Sequence, residues 1–202
     1  SVWYEAHLEC PTFKIYGSFL AGTPVPALGH NDTGGWGLTM FENDDADFYR
    51  ETLNPANPNQ VKYKGNWENL TVRKEVIKVK GKEDVLMDVK KSRHGYFLNG
   101  ALDNVKDYKD PIALWWIFNE FPSRNLQMFY NVAKARNVVE IGRAIKPLTS
   151  PGLNFMYADT LGNIAWWAAG KLPKRPAHVN PHMILDGASG KDDILGWNDF
   201  ST

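Results

Sequence analysis

The residues with the most chemical potential lie in a few short stretches. Glu42-Asn43-Asp44-Asp45-Ala46-Asp47 gathers hard oxygen donors in one segment, and a calcium ion takes about six to eight such oxygens, usually from more than one segment. The stretch lacks EF-hand spacing and its terminal Glu, so on its own it reads as a solvated acidic turn. Gly29-His30-Asn31 stands between a strand and a glycine turn, where main-chain N–H groups can face a ligand and a His can orient a neighbour. Taken alone, the ordinary reading of His30 is structural, and the same holds for His94 in Arg93-His94-Gly95. His178 and His182 stand four residues apart but in a tail rich in Pro, Gly and His, so together with His7 they show no i, i+4 spacing on a helix and no zincin-type metal site is implied. Ser1 has the position of an N-terminal nucleophile whose own α-amine acts as base, but position alone does not assign the role. Cys10, the single cysteine, can form neither an internal disulfide nor a zinc ribbon.

These residues need a folded scaffold, and the composition provides one. With 43% hydrophobic and 13% aromatic residues over 202 positions, the chain can bury a core, which excludes disorder. The 23 basic residues balance the 23 acidic ones, so no long-range field draws in nucleic acid. No apolar run approaches the roughly 20 residues that span a bilayer. The opening at Val2-Trp3-Tyr4 and the close at Trp197-Asn198-Asp199-Phe200-Ser201-Thr202 read as those of a piece of something larger.

Aromatic and β-branched residues punctuated by glycines make the segment from Ser1 to Leu38 β-rich, while residues 41–60 read as loop. Glu75 to Lys80 and Val85 to Lys90 form strands around a turn at Gly81-Lys82-Glu83-Asp84. Ala113, Leu114, Ile117, Phe118 and Phe121 recur at helical spacing, as do Met128, Phe129, Val132 and Ala133, and a third helix runs from about Val138 to Ile145. Strands return at Asn154–Ala158 and Ile164–Ala169 around a hairpin turn at residues 159–163. The pairs Trp115-Trp116 and Trp166-Trp167 sit in apolar segments and are expected in the core rather than on a sugar-stacking surface. The order of sheet, helices and sheet gives an α+β class.

Taken together, Trp3-Tyr4-Glu5-Ala6-His7-Leu8, Pro24 to Asn31, Trp36-Gly37-Leu38-Thr39, Asp44 to Glu51, Arg93-His94-Gly95, Asn154 to Asp159 and Gly162-Asn163-Ile164 resemble the β-chain of the penicillin amidase family of N-terminal nucleophile hydrolases. The resemblance runs over nearly the whole chain. It implies part of an αββα four-layer sandwich, made as a precursor that cuts itself into two chains, with periplasmic or extracellular location. It implies an amide-hydrolysing acylase acting on a penicillin-like or other small N-acyl substrate. The nucleophile of the family begins a Ser-Asn-x-Trp type segment upstream of Trp3-Tyr4-Glu5, so Ser1 aligns with a strand entry. The expectation is therefore a fragment of the β-chain catalytic domain, inactive alone and completed by a companion α-chain. A non-catalytic binding module and a pseudoenzyme on the same fold are the alternatives.

By the same resemblance, the backbone N–H of Met40 belongs to the oxyanion hole, with His30 and Asn31 as the supporting turn. Leu28, Tyr130 and Leu153 fall at positions lining the acyl-side pocket. Asp44, Asp47 and the carbonyls of Ala46 and Pro181 match ligands of a structural Ca²⁺, which reverses the bland reading of the acidic stretch. The truncated sheet is expected to associate, as a homodimer or as a soluble aggregate, with Val2, Trp3 and Tyr4 near the contact.

Overall fold

The computed structural model describes residues 2–198, so the readings of Ser1 and of Asp199 to Thr202 fall outside the described residues. In chain order the first strands are β1 (Trp3–Cys10), β2 (Phe13–Leu20), β3 (Leu28–Asn31), β4 (Gly34–Met40), β5 (Ala46–Arg50), β6 (Leu53–Asn54), β7 (Asn57–Tyr63) and β8 (Asn66–Asn69). They are followed by β9 (Thr71–Ile77), β10 (Val85–Ser92), β11 (Gly95–Phe97), β12 (Ile112–Trp116) and helices α1 (Ile117–Glu120), α2 (Asn125–Lys134) and α3 (Val138–Ile145). The chain continues through β13 (Leu153–Asp159), β14 (Ile164–Ala169), β15 (Leu172–Lys174), β16 (Leu185–Asp186) and β17 (Gly196–Asn198). This is a sheet-rich α+β chain, as its sequence implies. It divides into two compact units: one comprises residues up to Asp45, Ile117–Pro173 and from Trp197 onward, the other Ala46–Trp116 and Lys174–Gly196.

The first unit is built on one sheet in the order β1-β2-β3-β4-β13-β14, its neighbours antiparallel. Alternation sends Ile15 of β2, Trp36 of β4 and Leu153, Phe155 and Tyr157 of β13 to one face, where they join Met128, Val132 and Ala133 of α2 and Ile141, Ala144 and Ile145 of α3 in a single core. The two helices exist because their apolar residues recur at three and four positions. The start of α3 is fixed by Asn137, whose side-chain oxygen accepts from the Glu140 N–H at 2.9 Å while its amide donates to Glu140 Oε1 at 2.9 Å. The first contact satisfies one of the N–H groups a helix start leaves bare, and the second holds the capping side chain in place. Strands β2 and β3 approach so closely at the facing pair Gly17 and Gly29 that a Cβ on Gly17 would lie 2.1 Å from the Leu28 carbonyl.

The second unit carries a sheet in the order β16-β5-β12-β11-β10-β9, with β16 parallel to β5 and the other pairs antiparallel, and a small sheet β6-β7-β8. Two sequence expectations are corrected here. Ala113 and Leu114 lie in strand β12, and only one helical turn, α1, follows. β12 is flanked by strands on both edges and its Ile112 and Ala113 are fully buried, so its apolar run is continuous and imitates helical spacing. Residues 41–60 are not all loop: β5 pairs with β12 through the Ile112↔Arg50 to Trp116↔Ala46 register, and β6 and the start of β7 follow it. The tryptophan pairs are corrected at one member each, since Trp167 packs against the core of the first unit. Strand alternation buries Trp115 and leaves Trp116 part-exposed, and Trp166 is 62% exposed.

Candidate functional site

Met40 ends β4, opposite Leu153 of β13. The next residue, Phe41, donates its N–H to the Gly152 carbonyl at 2.9 Å. In an antiparallel ladder hydrogen-bonded and non-hydrogen-bonded pairs alternate, so Met40 occupies a non-bonded pair and turns its N–H away from β13. On that other edge, β3 pairs with β4 only at Gly29↔Trp36 and His30↔Gly35. The chain before β3 is Pro24-Val25-Pro26-Ala27, whose two prolines have no N–H to extend a ladder. The Met40 side chain is 56% exposed. The sheet therefore carries a main-chain donor at a strand edge beyond the end of its neighbour, a geometry that can bind a carbonyl oxygen or an oxyanion.

The residues expected around Met40 are placed as follows. Asn31 ties the end of α2 to the β3–β4 turn: its amide donates to the Ala133 carbonyl at 3.2 Å and the Ala135 carbonyl at 2.7 Å, while its oxygen accepts from Thr33 N, Thr33 Oγ1 and Gly34 N. His30 is exposed on the opposite face of the sheet, beside the Tyr16 ring at 5.7 Å. Leu28 shares that face, since it registers with Ser18 two residues from Tyr16. Leu153 is buried on the helix-covered face. Tyr130 sits on α2 against the Phe13 ring, edge on at 6.4 Å. The structure therefore brings Leu153 beside Met40 but spreads Leu28 and Tyr130 away from it. Replacing Asn31 by Asp would turn a carboxylate oxygen toward two helix-end carbonyls, and we expect a loss of about 1–3 kcal/mol in urea unfolding.

The acidic stretch is woven into the fold. Asn43 donates to the Lys171 carbonyl at 3.1 Å and accepts from Gly152 N at 3.1 Å, and Ser150 Oγ donates to Asp45 Oδ2 at 2.5 Å. These contacts brace the 149–152 segment next to Met40. Glu42 and Asp44 adopt left-handed backbone conformations, with φ of 53° and 43°. In the second unit, Asp47 is 1% exposed and both its carboxylate oxygens accept from Arg175 Nε, at 3.1 and 2.9 Å. Among the described residues no cluster of three or more His, Cys, Asp or Glu is arranged to hold a metal ion. The donor chemistry at Asp47 is thus that of a guanidinium partner, and Ala46 and Pro181 contribute carbonyls to the same unit.

The second unit also buries a polar network whose members lie far apart along the chain. His94 is 5% exposed, with Nδ1 2.9 Å from Glu51 Oε1 and Nε2 3.1 Å from Asp193 Oδ1. Both ring nitrogens face carboxylates, and the imidazolium is the form that donates to both. Tyr49 stacks on the ring at 4.2 Å, Ser92 Oγ donates to Glu51 Oε1 at 2.5 Å, and Tyr63 OH donates to Asp193 Oδ2 at 2.5 Å. Burial works to raise the Asp193 carboxyl, but hydrogen bonds from Tyr63 and His94 and the nearby positive charge outweigh it, leaving it below the ordinary range. Burial and the charge of Asp47 push the Tyr49 hydroxyl far above its usual range. With both His94 nitrogens occupied, this cluster is structural and offers no general base.

A solved structure of a thermostable penicillin G acylase from Alcaligenes faecalis superposes with a TM-score of 0.87 at 28% identity, covering 98% of this chain and 35% of that one. An acyl-homoserine lactone acylase, QuiP, of Pseudomonas fluorescens is 29% identical over 178 residues, covering 86% of this chain and 21% of that protein. Penicillin G acylase of Escherichia coli is 29% identical over 194 residues, or 96% of this chain and 22% of the relative. The penicillin amidase family model matches residues 1–202, and the chain belongs to that family. It spans about a fifth of the length of these curated relatives.

Proposed function

We propose that this chain is part of the catalytic β-chain of an acylase that hydrolyses the linear amide of a small N-acyl substrate. The observation that carries this reading is the Met40 N–H, turned by the β4–β13 register to the stretch of the other β4 edge that lies beyond β3. In the proposed reaction a nucleophile from a segment outside this chain adds to the amide carbonyl. The electron pair moves onto oxygen, and the Met40 N–H donates to that oxyanion. Collapse breaks the C–N bond, the amine leaves with a proton, and water then releases the acyl group as a carboxylic acid. The αββα four-layer sandwich of N-terminal nucleophile hydrolases is part of this reading. A companion α-chain and an extracytoplasmic location belong to the same proposal.

The purified 202-residue chain is expected to turn over no chromogenic acyl-amide, whereas the full-length protein carrying it is expected to do so after processing. Chromophore release by the chain alone that disappears in Ser1→Ala would make Ser1 the nucleophile and overturn the assignment.

A further inference from the structure

We propose that Asn154, held by Trp166, is a positioning residue for the Met40 oxyanion donor. The inference rests on the reading of Met40 as that donor and goes beyond it by naming what fixes its backbone. Asn154 lies on β13 opposite Thr39, the residue before Met40, and its side-chain amide reaches two groups. Asn154 Nδ2 donates to the Met40 carbonyl at 3.1 Å and to Thr39 Oγ1 at 3.2 Å.

The orientation of that amide is determined. Trp166 Nε1 is 3.2 Å from Asn154 Oδ1, and an indole N–H can only donate. The Asn154 oxygen must therefore face Trp166, which turns its NH₂ toward Thr39 and Met40. The peptide that follows Met40 is then held at both ends, its carbonyl by Asn154 and its N–H, that of Phe41, by the Gly152 carbonyl. A strand end would otherwise fray, and a donor aimed at a developing oxyanion is effective only if it is in place before the charge forms. Trp166 is 62% exposed, so core packing alone does not account for a tryptophan at this position.

The test uses the full-length protein that contains this segment, with an acyl-amide as probe. Replacing Met40 by its α-hydroxy acid removes the N–H and tests the donor reading alone, with an expected loss of about 100- to 1000-fold in kcat. Asn154→Asp keeps the shape but sets an oxygen against the Met40 carbonyl. We expect it to lower kcat about 10- to 100-fold with KM within about twofold. Trp166→Phe removes the orienting donor and should lower kcat less, with the double variant no worse than Asn154→Asp. If the ester variant loses activity while Asn154→Asp and Trp166→Phe keep wild-type kcat, or if KM alone rises, the positioning role is wrong. If the ester variant keeps full kcat, or the full-length protein turns over no amide, the reading of Met40 itself fails and takes the positioning role with it.

Discussion

Asp47→Ala will lower the unfolding free energy by about 3–5 kcal/mol, because it strips a buried carboxylate partner from a guanidinium that the fold keeps largely out of water. Arg175 is 14% exposed at its side chain and Asp47 is fully buried there, so water cannot replace the lost carboxylate without opening the unit. For a chain of this size each kcal/mol shifts the melting temperature by about 2–4 °C, which makes the expected drop about 6–20 °C. Calorimetry checks it. Asp47→Asn keeps one acceptor and should lose less. The family resemblance supplies a competing use for Asp47 as a calcium ligand, and the same instrument separates the two. A ligand that binds only the folded state raises its melting temperature by mass action. If added calcium raises the melting temperature of the wild type and Asp47→Ala abolishes the rise, Asp47 serves a metal. If calcium and chelator leave both unchanged, the ion pair accounts for the loss.

The second large effect is expected at His94. Its removal in His94→Ala leaves the Glu51 and Asp193 carboxylates without their shared donor, in a place where Glu51 Oε2 already has no hydrogen-bond partner. Loss of a buried partner of this kind costs about 3–5 kcal/mol. The pH dependence has a definite sign. The folded-state value of Asp193 lies below its ordinary 3.8, so its contribution is fully present above that value and is lost as pH falls through the folded value. In His94→Ala the lowering influence of the imidazolium is gone, so the acid limb of the stability curve should flatten and the wild-type advantage should shrink toward low pH. Urea titrations of both proteins between neutral and acid pH measure this. An equal offset between the two curves at every pH would show that His94 acts through packing against Tyr49 and not through charge.

Local information was sufficient for α2 and α3, whose apolar spacing and the Asn137–Glu140 cap are written within a few residues of each other. It was sufficient too for the hairpins β9–β10 and β13–β14, where a short polar turn joins two alternating runs. Matching motifs along the chain were enough to identify the family, because order and spacing are properties of the sequence itself. The rest needed distant partners. β5 looks like loop until β12 and β16 flank it, and β12 looks helical until strands cover both its edges, since a strand with two neighbours has no polar edge to show in its sequence. The same limit hid the polar contacts. His94 meets residues 43 and 99 positions away, and Asn154 reaches Met40 across 114. The sequence supplied each of these side chains. Which of them met was decided by strand register, because a shift of one residue turns every side chain of a strand to the other face.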